Sequence, residues 1–100
     1  MRFAYHVDCT EAAEAQLLDI YVQAQSLGFN ENVAAAARVI EQRTRQEPLQ
    51  FGEPHFSLPD AGLIHVAFAA PLAVKYGVIE KELRVLILSY YLMPGTLPNP

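Results

Sequence analysis

Three side chains in the last third of the chain are of types that could handle a phosphate. His65 and Lys75 lie in neighbouring apolar stretches, and Tyr90 closes the next one. If strand alternation sets His65 and Lys75 on one sheet face as cross-strand neighbours, Lys75 supplies a cation. His65 then supplies an acid or base that works near neutral pH. Cleaving RNA through its 2′-hydroxyl needs little more than a proton acceptor, a proton donor and a cation. Tyr90 and Tyr91 offer rings on which a base can stack. The plainer reading leaves His65 and Lys75 as solvent-side residues of a half-exposed sheet. It packs the tyrosines at the sheet end with their hydroxyls in water. Arg38, Arg43 and Arg45 are interleaved with Glu41 and Glu47, which reads as a solvated, ion-paired helix face rather than a nucleic-acid patch. The single Cys9 excludes an internal disulfide framework and a cysteine-based zinc site. His6, His55 and His65 are scattered, and no phosphate-cradling glycine loop is present. No metal or cofactor is expected.

Those residues need elements to hold them. From Gly62 to Tyr91 three apolar runs rich in Val, Ile, Leu, Phe and Tyr are parted by two short breaks. Short breaks suit antiparallel neighbours, so the runs predict a meander of strands at 63–68, 72–78 and 83–90. Alternation groups Ile64, Val66 and Phe68 with Val74, Tyr76 and Val78, and leaves His65, Ala67, Ala73, Lys75 and Gly77 on the other face. Upstream, 3–7 reads as a first strand. Residues 11–25 read as a helix capped by Asp8 or Thr10 and ended by Gly28. A second helix opens with Asn30 as cap and Phe29 as a hydrophobic staple, and stops at Pro48. Residues 49–61, with Gly52, Pro54 and Pro59, read as a long loop. The outcome is a two-layer α+β domain of order β-α-α-β-β-β over residues 1–92: a helical hairpin packed on one face of an antiparallel sheet through Leu17, Ile20, Tyr21, Ile40, Val66 and Val74. Residues 93–100 form a Pro-rich tail.

Composition narrows the function. With 52% hydrophobic and 18% charged residues the chain is a folded globular protein. A net charge of −4 counts against a general nucleic-acid binder. No signal stretch opens the chain and no apolar run approaches a membrane span, so a cytoplasmic location is the default expectation. The last strand is apolar on both faces, and helices cover only one. Ala67, Ala73, Leu86, Leu88 and Tyr91 are therefore expected to form a surface for a partner, either another protein or a second copy.

In order, length and apolar pattern the chain resembles the RelE/ParE superfamily of bacterial toxins. The likeness spans about residues 3–91. It rests on T-E-A-A-E-A-Q-L-L-D-I-Y in the first helix, A-A-A-R-V-I-E-Q-R-T-R-Q-E-P-L in the second, and the meander H-V-A-F-A-A-P-L-A-V-K-Y-G-V-I-E-K-E-L-R-V-L-I-L. The resemblance implies one of two activities: cleavage of messenger RNA on the ribosome, or inhibition of DNA gyrase. It also implies an antitoxin segment that wraps the toxin and silences it. In the nuclease members, basic and aromatic residues lie on the open sheet face and near the C-terminus, where Tyr90 and Tyr91 fall here. This chain has His65-Val66-Ala67-Phe68 where an arginine is usual, and Ser89-Tyr90-Tyr91 with no basic residue after it. Ribosome-dependent cleavage above background is therefore not expected.

Overall fold

Thr10 is where the chain turns from strand to helix. In the computed structural model, which describes residues 4–93, its side-chain oxygen accepts the Ala13 N–H at 3.1 Å. That satisfies one of the donors a helix leaves open at its start. The first helix, α1, runs Glu11–Leu27 with Glu11 and Glu14 in its first turn, where the positive end of the helix favours them. Gly28 ends it at φ 80°, a left-handed conformation open to glycine without steric cost. The second helix, α2, spans Asn30–Gln46. Asn30 does not cap it. Phe29 takes the cap position without a side-chain bond, and its buried ring pins the corner instead. Pro48 ends α2 as expected but opens a one-turn helix, α3, at Pro48–Phe51, where its missing N–H is not needed.

Five strands follow the order β1-β5-β4-β3-β2. They are β1 His6–Cys9, β2 Glu53–Leu58, β3 Gly62–Ala69, β4 Leu72–Ile79 and β5 Arg84–Leu92. The meander β3-β4-β5 stands where the sequence puts it, with a turn of 3₁₀ helix at Glu80–Glu82 before β5. β1 begins at His6, later than expected, and pairs with β5 in parallel. The segment expected to be a loop holds α3 and β2, so the sheet gains a strand. All six residues of β2 are exposed, so it lacks the alternation that marks a half-buried strand. Its Pro54 reads as a breaker yet is tolerated at a sheet edge. A bulge between Pro54 and Phe56 further disguises it.

The phase of β3 is the reverse of the expectation. The turn to β4 is closed by Ala69 opposite Leu72, so odd-numbered residues of β3 face even-numbered residues of β4: His65↔Tyr76, Val66↔Lys75, Ala67↔Val74, Phe68↔Ala73. Directly paired residues share a face. His65 and Ala67 therefore lie beneath the helices, and Ile64, Val66 and Phe68 lie on the open face. β3 is apolar on both sides, so hydrophobicity could not decide the phase; the turn does.

The core joins Ile20, Ala24, Val33, Ala36 and Ile40 of the helices to Val74, Tyr76, Val78, Val85, Ile87 and Tyr90 of the sheet. Leu17 and Tyr21 pack at its margin. Val66, expected in this core, is half-buried on the opposite face. In β5, Ile87 pairs with Tyr76 and Ser89 with Lys75, so Leu88 is an extra residue in a bulge. The Leu88 carbonyl accepts the Thr10 hydroxyl at 3.4 Å, tying the bulge to the start of α1. Past it the alternation resets, and Val85, Ile87 and Tyr90 all point into the core.

Candidate functional site

His65 ends a column of flat groups under the helices. Its ring is 1% exposed, and its Nδ1–H donates to the Leu63 carbonyl at 3.0 Å. It stacks on Tyr76 with centroids 5.3 Å apart and planes 9° apart. Tyr76 stacks in turn on Phe51 at 6.1 Å, and the Arg43 guanidinium lies 4.6 Å above the Phe51 ring. Arg43 also pairs with Glu47 at 2.9 Å. The Tyr76 hydroxyl donates to the Pro48 carbonyl at 2.6 Å. Burial pushes its pKa up to about 12, against the smaller pull of a Gly52 backbone hydrogen bond and the Arg43 charge. The column thus clamps α3 to the sheet, and His65 serves it as a packed ring.

Tyr90 also faces the helices. It is buried, its backbone N–H donates to Gln16 Oε1 at 3.0 Å, and its hydroxyl neighbours the Cys9 thiol. Burial, then the neighbouring Cys9, pushes the Tyr90 hydroxyl pKa up. Burial is also the main cause raising the Cys9 thiol, so the thiol stays protonated and a poor nucleophile. Both residues line a cleft of about 530 Å³ between α1, α2 and β1. Leu17, Tyr21 and Ala37 contribute apolar wall, and the exposed Glu14, Arg38 and Glu41 contribute charge. The sequence carried only a faint sign of this cleft, in the small side chains Ala34 to Ala37.

On the open face the strand register sets three cross-strand rows. One is Phe68–Ala73–Tyr91, one Glu53–Val66–Lys75–Ser89, and one Phe56–Ile64–Gly77–Leu86. Phe68 is 63% exposed and Tyr91 44%, on either side of the buried Ala73. The β2–β3 turn rests on the third row: a Cβ on Gly77 would stand 1.9 Å from the Ala61 oxygen. Lys75 is half-exposed and, among the described residues, has no ion-pair partner. At the β1 end, Asp8 holds His6 at 3.1 Å and Arg84 at 3.3 Å.

The residues expected to act together are thus divided by the sheet. His65 and Tyr90 lie on the helix side and Lys75 on the open side, so no acid–base pair forms around the lysine. Of the expected partner surface, Ala73, Leu86 and Tyr91 share the open face and Leu88 occupies the bulge beside it. Ala67 does not belong to it, being 2% exposed in the core. No group of His, Cys, Asp and Glu among the described residues could hold a metal ion, and no helix among them is long and apolar enough to cross a membrane.

No family model matches the sequence, and no curated protein matches it at the sequence level. Its fold does have solved counterparts. A chain of the toxin–antitoxin complex RelBE2 from Mycobacterium tuberculosis superposes with a TM-score of 0.67 at 21% identity, over 90% of this chain and 92% of that one. A chain of the chromosomal ParDE toxin–antitoxin system from P. aeruginosa gives a TM-score of 0.61 at 20% identity, over 89% of this chain and 96% of that one. Two helices on a mostly antiparallel five-stranded sheet are common to this chain and the RelE and ParE toxin folds.

Proposed function

We propose that this chain, which has the RelE/ParE toxin fold, is the toxin component of a toxin–antitoxin pair that acts by gripping a macromolecular target. The observation that carries the proposal is the likeness to two toxin–antitoxin structures over about nine-tenths of the chain and of its counterparts. An antitoxin is the corresponding partner. The cleft between α1, α2 and β1, with its apolar walls and charged margin, offers an antitoxin segment a seat.

Of the two targets the resemblance implies, gyrase suits this chain better than ribosome-bound messenger RNA. Lys75 is the one cation in the central rows of the open face, and His65 and Tyr90 are buried away from it. Catalysis by proton transfer needs a group within hydrogen-bond reach of the reacting atom, and the net charge of −4 weakens phosphate affinity.

The test is induced expression in a bacterial host, with and without the gene beside it. Growth arrest relieved by that neighbour is the expected result. Purified chain should then inhibit gyrase supercoiling and leave ribosome-bound messenger intact. Messenger cleavage abolished by Lys75→Ala would reverse the choice of target. Normal growth despite folded protein in the cell would replace the toxin reading with a silent interaction domain.

A further inference from the structure

We propose that the open face of the sheet is a homodimer interface, in which two copies of this chain pack face to face about a twofold axis running along the strands between β3 and β4. The inference goes beyond the toxin reading and rests on no part of it; only the register and exposure of the open face are used. A twofold interface must be complementary to itself, so that each residue finds its match in the same surface turned over. About this axis β3 of one copy faces β4 of the other, β2 faces β5, and each cross-strand row stays opposite itself.

The first row then sets a large side chain against a small one. Phe68, 63% exposed, comes down over Ala73 of the second copy, beside that copy's exposed Tyr91. By symmetry Ala73 receives the other Phe68. In the central row Lys75 lies over Val66 of the second copy, one strand from that copy's Glu53. Within one copy Glu53 and Lys75 are two strands apart, about 10 Å by ordinary strand spacing. Neither has an ion-pair partner among the described residues. Packed sheets stand about 10 Å apart, a gap that a lysine and a glutamate reaching toward each other can close. Each unpaired charge thus meets its opposite, and the contact forms twice, once on each side of the axis.

The available area sets the strength. The β2–β3 turn already covers the third row, where Ile64 is 0% exposed, so the two open rows present roughly 300 Å² per copy by ordinary strand dimensions. Both copies together bury roughly 600 Å², the size of a weak, transient contact. The dimer is therefore concentration-dependent, and its formation hides Lys75, Phe68 and Tyr91 from any other partner.

Sedimentation of the purified chain from micromolar to near-millimolar concentration tests the proposal. Wild type should show a monomer–dimer equilibrium. Lys75→Glu alone and Glu53→Lys alone should each weaken association about tenfold or more, because each sets like charges across the interface twice. Mixing the two single variants should restore association to within about threefold of wild type, since the mixed pair regains both attractive contacts. Both positions are at least partly exposed, and melting curves should show both variants folded. A wild-type chain that stays monomeric throughout overturns the interface. So does a dimer indifferent to either reversal, or two weakened variants that fail to rescue each other on mixing.

Discussion

His65 fills space between its neighbours, so truncating it should be felt as lost packing. His65→Ala leaves a hole against the Tyr76 face and should cost about 2–4 kcal/mol, in the range of other buried ring truncations, read as a fall in the urea midpoint. Tyr76 carries a second consequence, in its response to alkali. Its pKa is raised from 10.0 to about 12, so the folded form keeps the phenolic proton after the unfolded chain has lost it. The stability this represents is whole below pH 10 and is lost as pH climbs toward 12, by on the order of 2 kcal/mol. Tyr90, raised by its own burial, bends the curve the same way. Urea midpoints at pH 8, 10 and 11 should therefore fall steadily. Tyr76→Phe should flatten part of that slope, while losing about 1 kcal/mol at pH 8 for the Pro48 carbonyl left without its donor. At this scale the sequence announced Gly28 and narrowed the cap to Asp8 or Thr10, roles that depend on nearest neighbours; Thr10 fills it. It misplaced His65, whose role depends on a strand phase set at Ala69 and Leu72.

Among the elements, β5 is the one whose details matter most. Leu88 is the residue by which it exceeds a regular strand. Deleting Leu88 should leave Ser89 outward and Tyr90 inward, as they are now. Deleting Leu86 instead turns Val85 outward or Ile87 and Tyr90 outward, whichever side keeps its register. The first deletion should yield a folded protein destabilised by about 1–3 kcal/mol, for the lost side-chain burial and the Thr10 bond. The second should give no cooperative transition; thermal melts followed by circular dichroism separate the two. The helices and the meander were legible because each carries its own periodicity and its own stops. β2 was not: as an exposed edge it has no buried face to write into the sequence, and its strand character comes from pairing with β3. The division of the candidate site followed from the same limit. Alternation says that residues 65 and 67 share a face, but not which face meets the helices.

Seen as a whole, the molecule is closed by its last strand. Among the described strands β1 pairs only with β5, and α1 packs on β5 more than on any other described element. A chain cut after Glu82 keeps β2, β3 and β4 but takes from β1 its strand partner and from α1 the strand it packs on most. It should show no cooperative unfolding and poor dispersion of its amide proton resonances. The overall architecture was readable because the helical stripes and the apolar runs allow few ways to bury one another. The parallel seam between first and last strands was foreseen only as a need for β1 to join the sheet somewhere. That seam has a bearing on how the protein is made. Synthesis runs from the N-terminus, so β1 and α1 leave the ribosome long before residues 84–92 exist to receive them. The nascent chain has to carry β1 unpaired until residues 84–92 have been made, and a message interrupted before them yields a polypeptide that never acquires a working surface.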